Sequence, residues 1–124
     1  VHLESLAEYA GHVPAATILI ERSRAALFVA AGTDDGMWPA AYSAERLRER
    51  LSRRDGGMPS IFAIYPTGHL VMGGGWAPTT QFQRLRGRLQ GGNAALDAHA
   101  QRAIWPAFLR FLDEYFRPTE PVVR

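Results

Sequence analysis

ALFVAA, residues 26–31, and IFAIY, residues 61–65, decide how this sequence folds. Neither alternates between apolar and polar positions. A strand with one wet face alternates, whereas a strand covered on both faces, as in a parallel sheet flanked by helices, stays apolar throughout. Each stretch has the length of a strand and runs into turn-forming residues, GTDDGMWP after the first and PTGH after the second. The chain between them predicts a helix from about Ala40 to Arg53. Its buried stripe is Ala40, Ala44, Leu47 and Leu51, with Glu45, Glu49 and the arginines outside. DGGMPS breaks that helix before the second strand.

Working outward, Val1 to Ala10 places Leu3, Leu6 and Ala10 at helical spacing, with Gly11 as the stop. A Gly/Pro/Thr-rich segment runs from Pro66 to Gly92. Asn93 then caps a long final helix whose expected stripe is Leu96, Ala100, Ala103, Ala107, Phe108, Phe111 and Tyr115. Pro106 lies off that stripe and predicts a solvent-side kink, not a stop, and Arg117-Pro118 ends the helix before a frayed tail. Strand, helix, strand, helix defines an α/β chain: a right-handed βαβ unit with a last helix packed on its sheet. Two parallel strands leave faces and edges that want cover, so the sequence reads as one end of a larger sheet, able to self-associate through its exposed edge.

Composition bounds the function. The chain has 124 residues, 47% of them hydrophobic and 21% charged, as in a soluble globular domain. It has no Cys, so neither disulfides nor a thiolate metal site can form. All 14 basic residues are Arg, which a GC-rich bacterial genome explains. A net charge of +2 does not argue for nucleic acid. No apolar run approaches the roughly 20 residues of a membrane span, and no signal-peptide core is present, so a cytoplasmic location is expected. No His/Asp/Glu spacing suggests a metal site, and no cofactor is expected.

The polar residues able to do chemistry follow the strands: Asp34 and Asp35 after the first, His69 after the second. Open α/β sheets place their ligand sites at those carboxyl ends. Neighbouring parallel strands bring the two loops together, so a carboxylate can accept from the imidazole Nδ1, fix the tautomer and leave Nε2 as a general base. Acid before histidine is also the chain order of the α/β-hydrolase triad.

At these residues the sequence resembles a known family. IERSRAALFVAAGTDDGMWPAAYSAERLRERL, YPTGHL and GGNAALDAHAQRAIWPAFLRFL are similar to the C-terminal domain of the acyl-CoA thioesterases and bile acid-CoA:amino acid N-acyltransferases, which are α/β-hydrolases related to dienelactone hydrolases. The resemblance runs from about Ile18 to Phe116. It implies that Asp35 is the catalytic acid, with Asp34 as the alternative, that His69 is the catalytic histidine, and that coenzyme A enters only as part of an acyl-CoA substrate. It also implies boundaries: residues 1–17 as the remnant of a preceding helix or lid segment, 18–117 as the C-terminal part of the hydrolase domain, 118–124 as a tail. The family often has prolines after the histidine, and VMGGGWAP departs from that at the pocket rim.

The family carries its nucleophile, Ser or Cys, on an upstream elbow. Here there is no Cys, and Ser5, Ser23, Ser43, Ser52 and Ser60 all lack the G-x-S-x-G context. Together with a chain that opens on Val1, this reads as the C-terminal part of a longer enzyme, whose missing N-terminal part is a partner of this chain. Trp38, Trp76 and Trp105 read first as packing residues, with Trp38 and Trp76 as candidates to line a substrate pocket. Arg84, Arg86 and Arg88 suit phosphate recognition, here the phosphates of coenzyme A, although a solvated loop is the plainer reading in so Arg-rich a chain. His99 reads as a hydrogen-bonded packing residue at the edge of the final helix's stripe. The readings left open are thioester hydrolysis, acyl transfer to an amino-acid amine, oxygen-ester or dienelactone hydrolysis, and a non-catalytic binding module.

Overall fold

A computed structural model describes residues 2–72, 84, 85 and 87–116. Two strands, β1 (Leu27–Gly32) and β2 (Ser60–Tyr65), pair in parallel from Leu27 opposite Ser60 to Gly32 opposite Tyr65. β1 is shifted by one residue from its apolar stretch, towards Gly32, and β2 covers its stretch and begins one residue earlier, at Ser60. Between them runs helix α3 (Ala40–Leu51), and the long helix α4 (Ala94–Phe116) follows.

Side chains alternate across a strand, and each face receives one helix. Phe28 and Ala30 of β1, with Ala63 and Tyr65 of β2, pack around Val71, Ala100 and Ile104 on the α4 side. Phe28 meets the rings of Phe108 and Phe111 at centroid distances of 5.4 and 5.5 Å. On the opposite face α3 buries Ala44 and Leu51 and lays the Arg48 guanidinium over the Phe62 ring. Coverage on both faces is why neither strand alternates in sequence.

Helix α3 keeps the expected stripe, with Ala44 and Leu51 buried and Ala40 and Leu47 half-buried. Pairs at helical spacing, Arg46 with Glu49 and Arg48 with Glu45, line its outer face. Exposed pairs of this kind contribute only about 0.3–0.5 kcal/mol each. Two longer arginines matter more for topology. Arg50 reaches Glu21 and the Ile18 carbonyl, and Arg54 donates to the carbonyls of Ser23, Ala25 and Met58. The chain entering β1 is thereby held against the loop entering β2.

Three expectations are corrected. The first helix, α1 (His2–Glu8), stops before Gly11; a 3-10 turn over Ala10–His12 and a short helix α2 (Val13–Ala16) carry the chain on. Pro14 sits in the first turn of α2, where its missing N–H costs nothing. The buried face of α4 is Asp97, Ala100, Gln101, Ile104 and Phe111, while Leu96 is exposed and Ala103 and Ala107 only half-buried. The arginine-rich stretch is no plain loop where it is described: β3 (Arg84–Leu85) and β4 (Arg88–Leu89) pair antiparallel. Pro106 is exposed inside an unbroken α4, as its place off the stripe requires.

Candidate active site

Parallel pairing continues past the ends of the strands. Thr33 N–H donates to the Tyr65 carbonyl at 2.9 Å and Asp34 N–H to the Thr67 carbonyl at 3.1 Å. The loop after β1 therefore runs beside the loop after β2, and the acidic pair meets the histidine.

Asp35 is the residue that turns inward. Its side chain is 4% exposed, and a buried carboxylate needs its oxygens satisfied. Oδ1 accepts the Met37 and Trp38 backbone N–H groups at 2.7 and 2.9 Å, the local turn that aspartate favours. Oδ2 lies 3.0 Å from His69 Nδ1. An ionised carboxylate only accepts, so the Nδ1 side of the ring carries the proton and the neutral ring has its lone pair on Nε2. His69 keeps 30% of its side chain exposed, enough to meet a reactant. Trp38, half-exposed, stacks against the imidazole at 6.3 Å between centroids, with 27° between the planes.

A third segment locks the two loops together, and it was not legible in the sequence. The Gln90 carbonyl accepts from both loops at once, from His69 N–H at 2.7 Å and from Gly36 N–H at 3.1 Å. Gly91 forms a bridge with Asp35 at φ 72°. A Cβ there would run into the Asp34 carbonyl oxygen, and one on Gly68 would run into the carbonyl of Gly91. Only glycine fits either position.

Asp97, in the first turn of α4, completes the support. Its buried Oδ1 accepts the Thr67 hydroxyl at 2.5 Å and the Gly68 N–H at 3.0 Å. Gln101, one turn further, donates to the Leu70 carbonyl at 3.3 Å. Asn93 caps the helix as expected, its Oδ1 accepting from Ala95 and Leu96 N–H. The helix N-terminus is thus bolted to the residues on either side of His69. Apolar spacing along the helix gave no signal for this role.

Asp34 turns the other way. Its carboxylate accepts the Gly92 N–H at 2.7 Å, so it ties down the third segment and makes no bond to His69. It is not the acceptor of its own turn; Asp35 has that role. His99 is exposed, beside the Tyr65 ring at 6.2 Å, instead of buried in a hydrogen bond. Trp105 packs on Phe108 at 5.9 Å. Arg88 is exposed and the Arg84 backbone pairs with Leu89, while Trp76 and Arg86, along with the GGG run, lie outside the described residues.

A buried carboxylate orienting a half-exposed histidine, at the carboxyl ends of adjacent parallel strands, is a geometry fit for proton transfer in an α/β protein. The family described as "BAAT / Acyl-CoA thioester hydrolase C terminal" has a model that matches residues 4–118, and the chain belongs to that family. Among curated proteins none matches it. Among the described residues, no helix is long and apolar enough to cross a membrane.

Proposed function

We propose that this chain is the C-terminal part of an α/β-hydrolase that cleaves acyl-CoA thioesters, with Asp35 and His69 as two members of its triad. The observation carrying this reading is the 3.0 Å contact between Asp35 Oδ2 and His69 Nδ1, in a chain of this family. The nucleophile, a Ser or Cys, comes from outside the chain, which has no Cys and no serine in a G-x-S-x-G elbow.

In the first half-reaction His69 Nε2 takes the nucleophile's proton while its oxygen or sulfur attacks the thioester carbonyl. Asp35 stabilises the imidazolium that forms. The carbon–sulfur bond breaks, and the departing coenzyme A thiolate recovers the proton from Nε2. In the second half Nε2 takes a proton from water, the hydroxyl attacks the acyl-enzyme, and the nucleophile regains its proton as the fatty acid leaves. An amino-acid amine in place of that water gives N-acyl transfer, the second activity within the family description. Trp38, stacked on His69, would contact the reacting acyl group, and Arg84 and Arg86 would take the coenzyme A phosphates.

Thiol release from acyl-CoA by the full-length protein tests the proposal. His69→Ala is expected to lower turnover by roughly 10⁴-fold or more, and Asp35→Asn by a comparable factor through the wrong tautomer with the fold intact. This chain by itself is expected to release no thiol. Near-normal turnover in the Asp35 variant would end the assignment, and acylated amine as the main product when an amino acid is supplied would favour transfer.

A further inference from the structure

Two apolar hollows lie side by side between the first helices and α3. One, of about 680 Å³, runs along α3 to Arg46 and Arg50; the other, of about 470 Å³, reaches Trp38. Leu6, Val13 and Ser43 line both, so they form one groove. Each volume falls within the roughly 300–1,000 Å³ of ordinary small-ligand sites. Leu6, Tyr9, Val13, Trp38 and Tyr42 all leave more than a third of their surface open there, a concentration of apolar exposure that marks a binding surface.

We propose that this groove seats the acyl chain of a long-chain substrate, with Trp38 at the mouth where the thioester meets His69. Continuity with the Asp35–His69 pair carries the inference: the indole that lines the groove is the one stacked on the imidazole. An alkyl chain asks for no polar partners, and the groove offers few. Among the described residues, His12 is the sole ionisable side chain apart from Tyr9 in the part next to Trp38. The Thr17 hydroxyl is turned back to the Val13 carbonyl at 2.6 Å. At the far end Arg46 is paired with Glu49 and Arg50 with Glu21, so that end is neutralised and does not call for a phosphate. The lining residues from Ser5 onward lie inside the span matched by the family model. The choice of occupant rests on the thioesterase reading; the presence of an apolar groove does not.

The test uses the full-length protein with palmitoyl-CoA and butyryl-CoA as substrates and an anthroyloxy-labelled palmitate as a binding probe. Ser43→Trp fills the groove from the exposed side of α3, and Leu6→Gln makes it polar should the larger change fail to fold. Each methylene taken out of water is worth about fourfold in affinity. Either variant is therefore expected to lower kcat/KM for palmitoyl-CoA at least tenfold more than for butyryl-CoA, and to weaken probe binding. Equal losses on both substrates, or unchanged probe binding in a folded variant, would overturn the proposal. In that case a change in melting temperature or oligomeric state would point to another segment of the protein, or a second copy, as the occupant. If no thioester is hydrolysed yet both variants weaken a probe that wild type and His69→Ala bind alike, the groove stands and the thioesterase reading falls.

Discussion

Asp35 and Asp97 are both buried carboxylates, and each holds one side of the histidine. Asp35 orients the ring through Nδ1, while Asp97 holds the two preceding residues through the Thr67 hydroxyl and the Gly68 N–H. Their removal should differ in kind. Asp97→Ala strands the Gly68 N–H and the Thr67 hydroxyl in a buried place, and leaving a buried donor without a partner costs about 1–3 kcal/mol. Chemical denaturation is expected to show that loss, and hydrogen exchange should show faster opening at Gly68 and His69. Asp35→Asn should leave exchange at those amides near normal while turnover collapses. A variant of Asp97 as stable as the wild type would show that its bonds to the loop are not needed to hold it. The sequence exposed these two residues unequally. DD at a strand end invites a site reading, whereas Asp97 on a helix face stands out only once the partner loop is known to pass beside it.

At the scale of elements, the turn before β1 is tied to α3 through Glu21 and Arg50, at 2.5 Å. The Glu21 carboxyl is held below the usual carboxylate range, first by a hydrogen bond from its own backbone, against the opposing effect of desolvation, and then by the Arg50 guanidinium. A carboxylate depressed in the folded state stabilises at neutral pH, and the contribution is lost as pH falls through the folded value. Glu21→Gln is therefore expected to melt at a lower temperature than the wild type at pH 7. The difference should close below about pH 4, where a glutamate in the unfolded chain is already taking up its proton. A gap that stays constant from pH 7 to pH 3 would show that charge on Glu21 plays no part. The strands and α3 were legible because apolar runs and a helical stripe are local properties of the chain. Helix α4 was legible in extent and cap but not in facing. Asp97 and Gln101 belong to its buried side because they hydrogen-bond the loop around His69, and a reading based on apolar spacing passes over polar residues.

Across the whole molecule, Ile104 joins what the chain separates. It is 1% exposed and packs with Ala100 and Val71 against Phe28 and Ala30 of β1 and Ala63 and Tyr65 of β2. Ile104→Ala removes three carbons from that junction and is expected to cost about 2–5 kcal/mol, a large share of a small domain's stability. The denaturant midpoint should fall with the slope unchanged. A loss under about 0.5 kcal/mol, the size of a surface substitution, would show that the α4 side of the sheet is not the core.

The sequence by itself determined the α/β class, the order of the two parallel strands and of the helix after each, and the position of both polar loops at strand ends, side by side. These follow from local pattern and from the rule that consecutive parallel strands lie side by side, while Asp35 in place of Asp34 as the partner of His69 was implied by the family resemblance. Only the tertiary structure decided that Asp34 turns to Gly92, that Gln90 carries both loops on one carbonyl, that Asp97 pins Thr67 and Gly68, and that Trp38 joins the histidine to an apolar groove. Each of these is a contact between residues more than 20 apart in the chain, or between one loop and a neighbour whose facing depends on packing. Their geometry is set by how helices and loops settle on a sheet, a property of the assembled fold that residue periodicity does not encode.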